Sequence, residues 1–290
     1  MDSYCIVDDS KLPSKTDIAE SRKKNLANLL TEISKKAPIE AHEVNTDNQG
    51  ELASDRDKWF WLFYSVMDRR ANAATFVKAK EALERERLFA PYKIVELLDK
   101  EGEMPALRKI ARILKKANFP LLNDHSKGEL AFPKSIADAA KFISKHNYEF
   151  GRLYEEYLKQ NSDLHEARNA LWKDLQEQIY GVGPRIASQI IRGLVLKGAW
   201  NFPLDDNRFL EECRFNVWIA GQTRLGLVDK DSEYFKQLGD FANKYLAGNR
   251  GIIAHALWYA RKRYCNRPPK CNECVLAKHC KRAFTFSQST

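Results

Sequence analysis

The stretch IYGVGPRIASQII, residues 179–191, places two glycines one residue apart between two segments of helical character. Apolar residues recur at three-and-four spacing in LWKDLQEQI before the glycines and in PRIASQIIRGLVLKG after them, which predicts amphipathic helices over 171–179 and 184–198. Pro184 suits the first position of the second helix, where its missing N–H costs nothing. The sequence therefore predicts a helical hairpin with the tight turn Gly181-Val182-Gly183.

The turn has the features of an anion-binding site. Glycine at positions 181 and 183 is expected to allow positive φ and the close approach of another backbone, while Val182 anchors the turn in the core. The bare amides at the start of the second helix would then point outward, where a phosphate of a DNA backbone fits. Helices also turn at glycines for packing alone, so the turn by itself leaves both interpretations open.

The rest of the chain also reads as helix. Apolar residues follow helical spacing in segment after segment, strand-like alternation is hard to find, and 290 residues contain only 13 glycines and 10 prolines. We therefore predict an all-α protein. No apolar run approaches the ~18 residues of a membrane-spanning helix, and the start MDSYCIVDDS lacks the basic and apolar regions of a signal peptide. We expect no membrane association, and a place in the cytoplasm on the nucleoid, or in the nucleus of a eukaryote.

The net charge of +9 lies at one end of the chain. From Lys244 onward there are ten Lys or Arg and one acidic residue, Glu273, so the remainder is neutral. A basic segment of this kind indicates a face that binds a polyanion, with nucleic acid the first candidate and an acidic membrane surface the second. A solvated tail that aids solubility is the alternative.

The same segment holds four of the six cysteines, in CNRPPKCNECVLAKHC. Cys265, Cys271, Cys274 and Cys280 form a C-x5-C-x2-C-x5-C pattern, which is too crowded for a disulfide framework in a chain this large without a secretion signal. Zinc or an iron–sulfur cluster would fit four thiolates. One short knuckle between two longer arms favours a 4Fe-4S cluster over zinc. Cys5 and Cys213 stand alone and are expected to be small, half-buried apolar residues.

Three segments together resemble the endonuclease III family of helix-hairpin-helix DNA glycosylases: YGVGPRIASQ, FPLDDNRF and the four-cysteine segment. WFWLFYSVMDRRANAATFVKAKEAL is more loosely similar to the family's buried second helix and the loop after it, and SRKKNLANLLTEISKK to an N-terminal helix that packs on the cluster domain. The resemblance covers about residues 57–280. Residues 118–145 have no counterpart.

The resemblance implies a role for each matching residue. Asp205 would be the catalytic carboxylate, and Gly181, Val182 and Gly183 would grip the phosphate backbone. The four clustered cysteines would hold the 4Fe-4S cluster, with Arg267 and Lys270 between the first two ligands contacting DNA phosphates. Arg69 or Arg70 would fill the gap left by the flipped base, although both also fit solvated charges at a helix end.

The sequence departs from the family pattern at several positions. The first cysteine spacer has five residues where the family commonly has six, and Arg185 follows the hairpin where lyase-competent members carry a nucleophilic lysine. A guanidinium stays protonated and forms no Schiff base with the sugar. Ser65 stands where adenine-excising members keep a glutamate. Asp206, beside the catalytic candidate, is interpreted as the cap of the next helix.

These residues predict a monofunctional glycosylase that acts as a monomer on double-stranded DNA. We expect three parts: 1–56, the N-terminal helical part of the cluster lobe; 57–203, a central helical domain with the hairpin; and 204–290, the rest of the cluster lobe. The two lobes would hold DNA across the cleft between them. A catalytically silent DNA-binding protein, acting as a damage sensor or recruitment module, is the main alternative. A bifunctional lyase using a displaced lysine such as Lys197 is a third possibility.

Overall fold

The computed structural model describes residues 15–36, 52, 54–68, 73–120, 128, 130–211, 225–227, 233–265 and 270–280. This part of the chain is helical and contains no β-strand, so the all-α prediction is confirmed for it. The helices are α1 (Lys15–Ser34), α2 (Asp55–Met67), α3 (Ala73–Arg85), α4 (Pro91–Glu101), α5 (Glu103–Lys116), α6 (Ala131–Ser144), α7 (Phe150–Gln160), α8 (Leu164–Gln178), α9 (Pro184–Leu196), α10 (Arg208–Glu211), α11 (Tyr234–Tyr245) and α12 (Arg250–Tyr264). Two 3-10 turns, Cys271–Glu273 and Ala277–His279, follow. None of the described helices is both long and apolar enough to cross a bilayer.

Helix α2 lies at the centre of the core. Every residue from Trp59 to Met67 is buried, which is the pattern of a helix enclosed on all sides. The helix begins at Ser54, whose side chain accepts a hydrogen bond from the Asp57 N–H and so caps the first turn. Helix α2, which the sequence analysis likened to a buried helix of the glycosylase family, is therefore buried as expected.

Helix α6 fills much of the space beside α2. It packs against α2, α4, α5 and α8, and most of its residues are buried. It occupies residues 131–144. These residues belong to the segment 118–145, which has no counterpart in the resemblance to the glycosylase family. The helical part of this segment therefore forms part of the central core, against α2.

The N-terminal helix packs on the helix that leads into the cysteine segment. Leu26, Ala27 and Leu30 of α1 are buried, and α1 lies along α12 and touches α11. Glu20 accepts hydrogen bonds from Lys244 and from the Tyr245 hydroxyl. The N-terminal helix thus packs on the helices that precede the cysteine segment, while a cluster in that segment stays a prediction.

An aromatic cluster joins α2 to α12. Trp61 and Tyr64 of α2 contact Trp258 at ring-centroid distances of 5.8 Å, and the His255 ring lies 5.6 Å from Trp61 and 5.1 Å from Trp258. On its other side Trp61 lies so close to α9 that a Cβ added at Gly193 would sit 2.0 Å from the indole. Glycine at 193 is therefore needed for the approach of α2 and α9.

Candidate functional site

The predicted hairpin is formed by α8 and α9, and its turn spans residues 179–183. Asp163 caps α8 by accepting hydrogen bonds from the His165 and Glu166 amides, and Pro184 occupies the start of α9, as the sequence predicted. Gly181 has φ +71°, and Val182 is buried. The tight turn and its valine anchor are thus present.

The expectation for Gly183 was wrong in one respect. Its φ is −94° and its ψ −177°, which is extended backbone open to any residue, rather than positive φ. A Cβ added there would meet nothing within 4 Å. The fold itself does not require glycine at 183, and the amides beyond it at the start of α9 have no capping side chain.

Two buried side chains of α6 form hydrogen bonds with the backbone of Tyr180 in the hairpin turn. The Tyr180 N–H donates to Asp138 Oδ2 at 3.1 Å, and Ser135 Oγ donates to the Tyr180 carbonyl at 2.7 Å. Lys134 pairs with the other carboxylate oxygen of Asp138 at 2.6 Å. Sequence reasoning missed this contact. An i, i+3 pair of small polar residues on an otherwise apolar helix face is the only signal that could have indicated it.

Arg185 is exposed at the start of α9 and reaches toward the end of α2. One guanidinium nitrogen lies 3.4 Å from the backbone oxygen of Asp68. The Asp68 carboxylate is buried and accepts hydrogen bonds from Gln189 Nε2 and Trp258 Nε1, each at 3.3 Å. The end of α2 is thereby tied to both α9 and α12, close to the hairpin.

Asp205 follows α9 and lies beside α8. Its side chain is 48% exposed, with Oδ1 3.1 Å from Arg168 Nη1 and Oδ2 3.7 Å from His165 Nε2. The adjacent Asp206 accepts a hydrogen bond from the Arg208 amide, which confirms its interpretation as the cap of α10. Of the two neighbouring aspartates, Asp205 is the more exposed, at 48% against 28%, and Asp206 is the one that caps a helix.

Arg168 is a buried charged residue that the sequence analysis did not single out. It is only 2% exposed and lies on the same buried face of α8 as Leu171 and Leu175. Its guanidinium also donates to the Pro203 carbonyl at 2.6 Å, and its carbon lies 5.5 Å from the Phe209 ring centroid. Arg168 therefore fastens the loop that carries Asp205 to the hairpin.

Lys197, the alternative nucleophile, is buried. Its residue exposure is 0%, and its amine donates to the Lys35 carbonyl just after α1. The backbone oxygen of Lys197 accepts a hydrogen bond from Leu52. A buried amine bound to a carbonyl in this way is not presented to a sugar.

The four clustered cysteines all lie in the described part of the chain and form no disulfide. Cys265 is exposed and the other three are half-buried. Burial raises the pKa of the Cys274 thiol to about 11, and the nearby Cys265, Cys280 and Cys271 add to the increase. Four thiols are the donor set of zinc and iron–sulfur sites, although no three or more His, Cys, Asp or Glu side chains of the described residues are arranged to hold a metal ion.

Of the other residues named in the sequence analysis, two lie in the described part of the chain and five lie outside it. Lys270 is exposed, and its amine lies 3.8 Å from Glu273. Ser65 is fully buried within α2. The residues that lie outside the described part are Arg69, Arg70, Arg267, Cys5 and Cys213.

Comparisons of the chain with models of protein families, with curated proteins and with solved structures give no match. The candidate site is therefore defined by the chain's own residues. The candidate residues are those of the hairpin turn, Asp205 with its partner Arg168, and those of the cysteine segment that follows α12.

Proposed function

We propose that the protein is a monofunctional DNA glycosylase that hydrolyses the N-glycosidic bond of a damaged or modified base in duplex DNA. The observation that carries the proposal is the fixed attachment of Asp205 to the hairpin through the buried Arg168 of α8. A group that grips phosphate and a group that acts on the sugar would need such a fixed relation. The resemblance of both segments to the endonuclease III family supports the same conclusion.

The hairpin turn is the proposed phosphate contact. Gly183 leaves the first amides of α9 uncovered, and Arg185 is exposed beside them. Backbone N–H groups at a helix start and a guanidinium both favour an anion. The fold has no use of its own for glycine at 183, so close approach of a phosphate is the reason we give for its presence.

Asp205 is the proposed catalytic residue. Loss of a base leaves positive charge on the sugar, and a carboxylate on the opposite side stabilises that charge. Water adds to C1′ and gives a proton to the carboxylate, while the bonding electrons leave with the base, which takes a proton from solvent. Asp205 has one oxygen bound to Arg168 and a half-exposed side chain, so its other oxygen is available for this role.

The four clustered cysteines are proposed to hold a 4Fe-4S cluster with a structural role. Leu276 is the one buried residue among 270–280, so this segment has almost no apolar core. Bound iron would supply the stabilisation that such a core gives elsewhere. The basic charge around it, including Lys270 and Arg267, would meet phosphates of double-stranded DNA. We propose that the protein acts on DNA as a monomer.

A second candidate function, a catalytically silent DNA-binding protein, is favoured by the ion pair of Asp205. Arg168 compensates part of the negative charge that the reaction would need. Arg185 also stands at the position where lyase-competent members of the endonuclease III family carry a lysine. Both observations would also suit a protein that binds altered DNA without cleaving it.

Base release separates the two functions. Duplexes that each carry one oxidised, deaminated or alkylated base are incubated with the protein, and abasic products are cleaved with alkali. We expect release from at least one duplex, and a loss of at least ~10²-fold in Asp205→Asn with DNA affinity unchanged or higher. Asp240→Asn, an exposed aspartate of α11, is the matched control and should behave as wild type. No release from any duplex, or equal release by Asp205→Asn, would support the silent protein.

Borohydride trapping tests the monofunctional part. With Arg185 after the hairpin and Lys197 buried, neither position presents an amine to the abasic sugar, so borohydride should trap no protein–DNA adduct. Strand breaks should appear only after alkali or an added lyase. A trapped adduct would show that a nucleophile outside these residues reaches the sugar.

A further inference from the structure

Helix α5 presents charge of one sign to solvent. Its sequence from 104 to 116, MPALRKIARILKK, has no acidic residue and five basic ones, Arg108, Lys109, Arg112, Lys115 and Lys116. At about 100° per residue these five side chains fall within an arc of about 120°. The arc lies opposite the buried Leu107, Ile110 and Leu114, so the basic side chains form the outer face of the helix.

Three of these cations are not neutralised by neighbouring carboxylates. Arg108, Arg112 and Lys116 are exposed and form no ion pair with the described residues, whereas Lys109 lies 2.9 Å from Glu101. Arg112 Nε donates to the backbone oxygen of Arg108 at 3.4 Å, so its guanidinium lies beside the turn that carries Arg108. We call Arg108, Arg112 and Lys116 the α5 basic face.

The α5 basic face differs from the other exposed helix surfaces. Helices α4, α7 and α8 pair opposite charges one turn apart, as Lys93–Glu96, Arg152–Glu156 and Lys173–Glu177. Such pairs stabilise a helix, whereas like charges four residues apart destabilise it. The helix dipole favours Lys116 in the last turn, but it does nothing for Arg108 or Arg112. The fold gains nothing from this arrangement, which suits a polyanionic partner instead.

Nucleic acid fits this face better than an acidic membrane surface. A helix that lies on a membrane inserts its apolar side, but the apolar side of α5 is packed against α3, α4 and α6. Contacts to nucleic-acid phosphates need no insertion. Two of the three cations are arginines, whose planar fork matches phosphate oxygens.

Helix α5 also begins close to the hairpin turn. The Lys134 amine of α6 lies 3.0 Å from Glu103, the first residue of α5, and 2.6 Å from Asp138. Asp138 in turn accepts the N–H of Tyr180 in the turn. Helix α6 thus connects the start of α5 to the proposed phosphate contact.

We propose that the α5 basic face is a second contact surface for the phosphates of duplex DNA, separate from the hairpin turn and the cysteine segment. The proposal rests on the proposed function for its partner, duplex DNA, and does not depend on base release. Phosphate contacts carry no sequence information, so this face should raise affinity for damaged and undamaged duplexes alike.

The salt dependence of binding to an undamaged duplex tests this surface. In the triple variant Arg108→Gln, Arg112→Gln and Lys116→Gln, the slope of log affinity against log salt should become shallower by roughly two to three units, at ~0.9 per phosphate contact. Affinity at low salt should fall at least ~10-fold. The far-UV helix signal should be kept and the melting temperature unchanged or higher, because repulsion along α5 is removed.

A second triple variant is the matched control. Arg56→Gln, Lys93→Gln and Arg152→Gln remove the same two arginines and one lysine in number, but each of these cations lies 2.6–2.7 Å from a glutamate. This protein has the same net charge as the α5 variant and should keep the wild-type slope. Equal loss of slope in both variants would overturn the proposal, because the effect would then follow net charge alone.

The remaining outcomes are distinct. An unchanged slope in the α5 variant, or a wild type that binds no duplex, overturns the proposal. So does a variant that keeps its DNA slope but no longer sediments with vesicles of phosphatidylcholine and phosphatidylserine, since the face would then bind membrane. If the triple variant does not fold, Arg112→Gln alone decides, with an expected change of about one unit. A shallower slope combined with no base release by wild type supports this surface and overturns the glycosylase function.

Discussion

At the scale of single residues, the two glycines of the hairpin turn differ in why they are glycine. Gly181 has φ +71°, a conformation that costs other residues roughly 1 kcal/mol or more. Gly183 is extended, and a side chain there would meet open space. One glycine serves the fold, whereas neither backbone conformation nor packing requires the other.

Substitution at these two positions should therefore affect different properties. Gly183→Val should change the free energy of unfolding by less than about 1 kcal/mol but weaken binding to duplex DNA, because its side chain would cover the amides of α9. Gly181→Ala is the matched comparison and should lose roughly 1–2 kcal/mol of stability through its positive φ. Denaturant unfolding and duplex binding, measured on both variants, test this. Normal DNA binding by Gly183→Val would show that the turn serves packing alone.

Sequence reasoning found residues whose role is local and missed those whose role is not. The Gly181 turn, the Val182 anchor and the Asp206 cap depend on neighbours a few positions away, and all are present. Arg168 meets Asp205 across 37 residues of sequence; helical spacing places it on the face of Leu171 and Leu175, but not beside this partner. Tertiary packing decides that contact.

At the scale of elements, the helices of the hairpin were predicted and the helix that supports them was not. Helix α9 begins at Pro184, as the proline and the apolar spacing indicated. Helix α6 was left unplaced, and its contacts with Tyr180 join positions 42 and 45 residues apart. Local pattern predicts where a helix lies, whereas its partners follow from the assembled core.

The cysteine segment makes a separate prediction at this scale. Protein purified without oxygen should be brown and contain about four irons per chain, and Cys274→Ser should be colourless and poorly soluble, because the segment has almost no apolar core of its own. Cys213→Ser, which lies outside the four-cysteine pattern, should keep its iron. Metal analysis that finds one zinc per chain and no iron would contradict the cluster.

At the scale of the whole molecule, His255 lies fully buried at the contact of α2, α9 and α12. Burial lowers the pKa of His255 well below 6.5, and the nearby Arg192 and Lys197 lower it further. The unfolded chain therefore takes up this proton first as the pH falls. The contribution of His255 to stability is complete above about pH 6.5 and is lost below it.

Unfolding measured between pH 7.5 and 5 should show this loss. The free energy of unfolding of wild type should fall by up to about 1.4 kcal/mol per pH unit below 6.5 on account of His255. His255→Gln, which keeps a hydrogen-bonding group near the Lys36 carbonyl, should have a shallower slope over the same range. Identical slopes in the two proteins would mean that His255 does not titrate differently on folding.

The packing of α1 on α11 and α12 also has a consequence for synthesis on the ribosome. Glu20 and its partner Tyr245 are 225 residues apart, so at ~5–20 residues per second α1 emerges on the order of 10–50 s before the helices that cover it. The buried Leu26 and Leu30 would be exposed to solvent throughout that interval. The nascent chain should for this reason bind a chaperone at α1, and release it only when α12 has left the exit tunnel.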